Sequence, residues 1–228
     1  MPEVPGTSVA ASADDNVAAA DTAPSVSPLL PVVEKSPYIL APVVPTQVGP
    51  EGIRFDFNDG ARVTFPKRTS GVWRVTLKDI DAGVILYHGD LKEGQLNSSK
   101  RYFVRIEIVV SSVTESGEMT PLFTHRYDAR GKSVVVQIPV GTLGDAIAWF
   151  SYLPKFIKKT GAKVICIIDK RFFPLLVDNY PDITFMTREE FEQSEQAEES
   201  YASYRMGLFF VDPDNIWQPT DFRFVVLH

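Results

Sequence analysis

Apolar and polar residues alternate with a period of two along much of the stretch from Gly52 to Tyr127. Ile53, Phe55 and Phe57 fall on one face, with Arg54 and Asp56 on the other. After the hairpin-type turn Asn58-Asp59-Gly60, Ala61, Val63 and Phe65 resume the pattern. Trp73, Val75 and Leu77 alternate with Arg74, Thr76 and Lys78, and Asp81-Ala82-Gly83 turns the chain into a strand at Val84 to Tyr87. Val104, Ile106, Ile108 and Val110 alternate with Arg105 and Glu107, and a further strand runs from Leu122 to Tyr127. Short strands joined by polar turns predict an antiparallel, barrel-like β domain over residues 51–131.

The pattern changes near Gly131. Ser133 to Ile138 is a nearly continuous apolar run, as expected of a strand buried on both faces in a parallel sheet. Leu143, Ile147, Phe150, Leu153 and Ile157 recur at helical spacing, with a kink expected at Pro154. Lys158, Lys159 and Gly161 form a helix stop, and Lys163 to Ile168 is the next strand, ending at Asp169. Arg171 to Asn179 reads as helix and Asp182 to Met186 as a third strand. The glutamate-rich stretch after Thr187 reads as a solvated helix or loop, and Ser203 to Phe210 as a last strand. Strand and helix in alternation predict half of a doubly wound α/β sheet over residues 132–228.

The first fifty residues differ in composition. They hold nine of the 17 prolines and a single aromatic residue, Tyr38, so residues 1–50 are expected to form a disordered Pro/Ala-rich tail with a local anchor at Tyr38-Ile39-Leu40. The net charge of −6 argues against a nucleic-acid binder held by phosphate contacts and against a polybasic membrane-surface protein. No apolar run reaches the length of a membrane span, and Met1-Pro2-Glu3-Val4-Pro5 lacks the basic start of a signal peptide, so a cytoplasmic location is expected. With Cys166 as the single cysteine, neither an internal disulfide nor a cysteine-cluster metal site is expected.

Several apparent motifs carry no chemistry. Gly131-Lys132-Ser133 resembles the end of a phosphate-binding loop, but Arg126 stands where that motif needs glycine. His88 and His125 lack ligand spacing and read as surface or edge-strand residues, and Cys166 reads as an inert buried thiol. Gly141-Thr142-Leu143-Gly144-Asp145 is different. It lies between a buried strand and its helix, where outward amides and the helix dipole favour anions and where doubly wound proteins bind ligands. The same residues also suit a plain helix cap, and spacing alone leaves both roles open.

Three segments in order, Phe55-Asp56-Phe57-Asn58-Asp59-Gly60-Ala61-Arg62-Val63, Gly141 to Trp149 and Tyr201 to Phe210, resemble the bacterial autotransporter strand-loop-strand O-heptosyltransferases. The resemblance implies a β domain ahead of a Rossmann-like, acceptor-side half of a GT-B glycosyltransferase. It implies transfer of heptose from ADP-heptose to serine hydroxyls of an autotransporter adhesin, with Asp145 as catalytic base and Thr142, Leu143 and Gly144 as substrate contacts. It also implies that the family's cysteine-bound iron site and the donor-binding domain are not encoded here, so that the chain alone binds ADP-heptose weakly or not at all. Association into homo-oligomers is left open. Two other readings stand beside this one. Asp169 could grip a cofactor ribose in a nucleotide- or S-adenosylmethionine-binding enzyme, although Gly141 to Gly144 lacks the dinucleotide spacing. Alternatively, the chain could recognise or assemble proteins without catalysis.

Overall fold

In the computed structural model, residues 38–100, 103–139 and 141–206 are described, and all of them fall within one unit, Lys35–His228. Residues 1–37 of the tail expected over residues 1–50, and the end of the strand expected at Ser203 to Phe210, lie outside the described residues. The chain runs through β1 (Gln47–Val48), β2 (Arg54–Asn58), β3 (Arg62–Phe65), β4 (Val72–Asp79), β5 (Val84–Leu91), β6 (Gly94–Asn97), β7 (Ile106–Val113) and β8 (Met119–Arg126). It continues through β9 (Ser133–Ile138), α1 (Leu143–Phe150), α2 (Leu153–Thr160), β10 (Lys163–Ile168) and α3 (Phe173–Leu176). Then follow β11 (Ile183–Met186), α4 (Arg188–Glu192), α5 (Gln196–Glu199) and β12 (Ala202–Arg205).

Two sheets form. The smaller is antiparallel, in the order β5-β4-β7-β8, and β4 alternates buried Trp73, Val75, Leu77 and Asp79 with half-exposed neighbours, as its period-two pattern dictates. The larger runs β11-β10-β9-β12-β2-β3-β6. Its first five strands pair in parallel, and β2, β3 and β6 pair antiparallel, with β1 also on β2. The four strands β9 to β12 thus stand in spatial order third, second, first, fourth. Helices cover both faces of that part. Ala146, Phe150, Leu153, Phe156 and Leu176 join the core with Val134, Val136, Val164 and Cys166, whereas Phe191 of α4 packs with Val135, Ile165 and Ile167.

The structure differs from the sequence pattern in five places. The antiparallel sheet does not close into a barrel among the described residues; it lies over the β2–β3 hairpin, with Phe55 5.1 Å from Phe123 and Phe57 5.0 Å from Tyr127. Nor does a break fall at residue 131. β12 inserts between β9 and β2, pairing Ala202 with both Val134 and Phe57, so one sheet spans both expected domains. Pro154 does not kink one long helix. It sits in the first turn of α2, where a missing backbone donor costs little, and the chain breaks between α1 and α2. The helix expected over Arg171 to Asn179 contracts to a 3-10 turn, Lys170–Phe172, followed by the one-turn α3.

The fifth difference concerns residues 38–50, which are not loose chain. Tyr38 is buried, and the buried amide of Gln137 on β9 accepts from Ile39 N at 2.7 Å and donates to Ile39 O at 3.2 Å, standing in for a strand ladder. This strap covers the second face of β2, the one its alternation assigns to water, so Asp56 and Asn58 are fully buried. Asp56 answers with five hydrogen bonds. Its Oδ1 accepts from Arg62 Nε (2.8 Å) and Asn58 N (3.2 Å), and its Oδ2 from Arg62 Nη2 (2.6 Å), Asn58 Nδ2 (2.9 Å) and Thr46 N (3.1 Å). Arg62 Nη1 reaches Pro42 O at 2.6 Å, and Asn58 Nδ2 and Thr46 Oγ1 both donate to Ser200 O, just ahead of β12. Removing the carboxylate strands a buried guanidinium, which costs about 3–5 kcal/mol. Asp56→Ala is therefore expected to lower the urea midpoint by that equivalent and to open residues 39–46 to proteolysis. A midpoint within about 0.5 kcal/mol of the parent, the range of an ordinary surface change, would contradict the assignment.

Candidate active site at the end of the first parallel strand

Strand β9 ends at Ile138, and α1 begins five residues later under a capping box. Thr142 is the N-cap, with extended φ/ψ; its Oγ1 accepts from Asp145 N at 3.4 Å, while Thr142 N and Oγ1 both donate to Asp145 Oδ2 at 2.8 Å. The helix-cap role read from the sequence is therefore present. Asp145 caps its own helix and still faces solvent. The hydrogen bonds from Thr142, backbone first and hydroxyl second, hold the carboxyl below the usual carboxylate range, against a small opposing effect of burial. Gly141 has φ +127°, and a Cβ there would lie 3.0 Å from Asp145 Cβ, so this approach requires glycine.

A neighbour comes from β10. Asp169 caps the next turn by accepting from Arg171 N at 2.9 Å, and its Oδ2 lies 3.5 Å from Arg171 Nε. Arg171 Nη2 donates to Gly141 O at 3.2 Å. Asp169 thus has a structural occupation, which weakens its reading as a ribose ligand. Thr142, Leu143 and Gly144 are exposed beside Asp145, as substrate contacts would need to be. Leu143 and Ile147, two of the five residues of the expected apolar stripe, are 48% and 55% exposed, so α1 turns apolar surface outward next to the carboxylate. Two clefts of about 460 and 360 Å³ lie elsewhere, the first under the strap and the second around Phe103, Tyr127 and Arg130.

The remaining candidates fall into place as scaffold. His88 shares a hydrogen bond with Thr76 Oγ1 on the exposed face of the small sheet. Lys132, within the apparent phosphate loop, lies over the Tyr201 ring at 4.1 Å. His125 is on edge strand β8, but its ring turns inward, 4.5 Å from Phe55, and its Nε2 shares a 2.9 Å hydrogen bond with Tyr201 Oη, which also accepts from Asp128 N. Burial, with Lys132 adding and Asp128 opposing, pulls the His125 imidazole down to about 4. Cys166 is fully buried and its thiol is pushed up by desolvation. Among the described residues no three His, Cys, Asp or Glu side chains assemble to hold a metal ion. Among them, too, no helix is long and apolar enough to cross a membrane.

With this geometry in hand, comparison with known proteins is informative. Residues 49–113 match the family model of the N-terminal domain of glycosyltransferase TibC. Autotransporter heptosyltransferase Aah of Escherichia coli is 40% identical over 192 residues, covering 84% of this chain and 46% of Aah. Over most of its length the chain is similar to the autotransporter heptosyltransferases. A crystal structure of the dodecameric, iron-containing heptosyltransferase TibC of enterotoxigenic E. coli with ADP-D-β-D-heptose matches with TM-score 0.66 and 40% identity, over 81% of this chain and 45% of TibC. Its mixed α/β architecture, one antiparallel sheet and one sheet with parallel strands, is therefore shared with TibC. Inactive autotransporter heptosyltransferase BimC of Burkholderia thailandensis is 36% identical over 81% of this chain and 41% of BimC. The chain spans less than half the length of each of these relatives.

His125 generates a test of the scaffold. An unfolded imidazole takes up its proton near 6.5 and the folded one only near 4, so acidification across that window favours the unfolded chain. Stability is expected to be fully present above pH 6.5 and to fall toward pH 4. His125→Gln, which has nothing to protonate, should show a shallower decline in urea midpoints. An identical slope in both chains would place the ring outside the core.

Proposed function

We propose that this chain is the acceptor-side portion of a protein O-heptosyltransferase of GT-B type, with Asp145 as its base. The observation that carries the reading is an exposed, anionic carboxylate at the exit of the first parallel strand, in a chain 40% identical to autotransporter heptosyltransferases. The strand order of β9 to β12 supports a Rossmann-like half, whose ligand crevice lies outside the carboxyl ends of the strands. The donor is ADP-heptose and the acceptor a serine hydroxyl of an autotransporter adhesin, modified in the cytoplasm. The dodecameric state of TibC supports assembly into a homo-oligomer.

In the transfer, the bond from the heptose anomeric carbon to the ADP oxygen breaks and ADP departs with the electron pair. The serine oxygen bonds to that carbon, and its proton passes to Asp145 and then to solvent. A depressed pKa makes Asp145 a weak base, which suffices when bond breaking runs ahead of attack and the hydroxyl becomes acidic late. Its contribution is then placement together with late proton acceptance. Leu143 and Ile147 supply apolar surface beside the acceptor. The iron reported for TibC enters no step here.

One observation favours a second reading, a recognition module without catalysis: BimC is named inactive at 36% identity, and the Asp145 carboxyl is already engaged as a cap. A single assay separates the two. The chain, completed with the remainder of TibC, is given ADP-heptose and a purified autotransporter passenger. Asp145→Asn keeps an acceptor for Thr142 and should fold normally while transfer falls by about 10²–10⁴-fold, the usual worth of a general base. Parent-like transfer by Asp145→Asn would remove it from the mechanism. Capture of the passenger without any transfer by the parent would favour the recognition reading.

A further inference from the structure

The capping box fixes Asp145 relative to α1, but it does not fix the start of α1 relative to the strand ends. Between β9 and α1 the chain must pass Gly141, whose left-handed φ of +127° leaves the turn with little stiffness of its own. The cross-strand tie is Arg171. Its Nη2 donates to Gly141 O at 3.2 Å, the one donor that carbonyl finds among the described residues. The guanidinium is itself aimed. Asp169 accepts from the Arg171 backbone and pairs with its Nε at 3.5 Å, and the plane lies 4.8 Å from the Phe172 ring. Asp169, Arg171, Gly141 and, through the next residue, Thr142 therefore connect the end of β10 to the Asp145 carboxylate.

We propose that Arg171 is a positioning residue of this site: by holding the Gly141 carbonyl it sets the direction in which Asp145 meets the acceptor hydroxyl. The proposal rests on the transferase reading above. Arginine suits the task because it reaches across from the adjacent strand exit, never loses its charge, and presents several donors in a fixed plane, so one can clamp while another stays on Asp169. A lysine offers a flexible point charge and would hold the turn less well.

Two readouts test it. In the full 228-residue chain, Arg171→Ala should raise amide exchange at Thr142 to Asp145 about tenfold while the β9 and β10 amides keep their protection. In the completed enzyme, the same change should lower kcat about 10²-fold, the cost of an ångström-scale misplacement, with KM for donor and acceptor within about threefold. Added guanidinium should restore part of kcat, and Arg171→Lys should fall between. Unchanged exchange overturns the clamp. A raised KM for ADP-heptose at unchanged kcat overturns positioning, because Arg171 would then be binding substrate directly. Should Arg171→Ala keep full kcat while Asp145→Asn is dead, this proposal fails alone. Should Asp145→Asn be fully active, the transferase reading fails first and takes the proposal with it.

Discussion

A carboxylate buried with no exposure must find enough donors to replace the water it gave up, and Asp56 finds five. Those donors come from the strap at Thr46, from Asn58 on its own strand and from Arg62 across the hairpin. Through Asn58 and Thr46 the network continues to Ser200 O. Segments separated by about 150 positions in the chain are thereby tied at one point. The tie matters because β12 enters the sheet two residues beyond Ser200, between β9 and β2. It reinforces, next to β12, the direct bonds of Phe57 N to Tyr201 O and Tyr201 N to Ser133 O.

The site depends on that arrangement. β9 is held by β10 on one edge and β12 on the other, so its last residues, and the turn they feed, have a fixed origin. From there, placement of the carboxylate is local: a glycine that permits close approach, a threonine that caps, and an arginine that reaches over from the next strand. Rigid strands carrying a short, polar, exposed turn is the usual division between scaffold and chemistry. Of the three segments that resemble the heptosyltransferases, two serve the scaffold. The Phe55 to Val63 stretch supplies Asp56, Asn58 and Arg62, and the Tyr201 stretch supplies the hydroxyl bonded to His125 and Asp128 N. The segment around Asp145 carries the capping box at the start of α1.

Much of this was legible from residue order. Period-two alternation located β2, β3, β4 and β7, and continuous apolar runs located β9 and β10, because burial on one face or both writes itself into the sequence. Of the strap only the anchor at Tyr38-Ile39-Leu40 was legible. Proline-rich chain with few aromatics looks unable to bury anything, and residues 38–50 succeed through a buried tyrosine and main-chain bonds to Gln137 and Asp56. Asp56 itself was assigned to water, since alternation shows that a face is polar without showing that a distant segment covers it. β6 is short, half-exposed and follows β5 almost at once, so no apolar rhythm marks it. At the site, Asp145 was found by its place between strand and helix. Arg171 was not, since its partner is a backbone carbonyl 30 residues away that leaves no trace in side-chain spacing. The outward Leu143 and Ile147 escaped for the opposite reason: helical spacing predicts a buried stripe, and here two of its five residues are left uncovered.

The central claim is that one buried carboxylate joins strap, hairpin and the approach to β12 into a single cooperative element. Residue-resolved hydrogen exchange on Asp56→Asn, which keeps the shape and removes the charge, tests it most directly. The account expects protection to fall together in residues 42–46, 58–62 and 200–203, while the amides shared by β4 and β7 stay as they were. Loss confined to β2, with the other two segments unmoved, would contradict it.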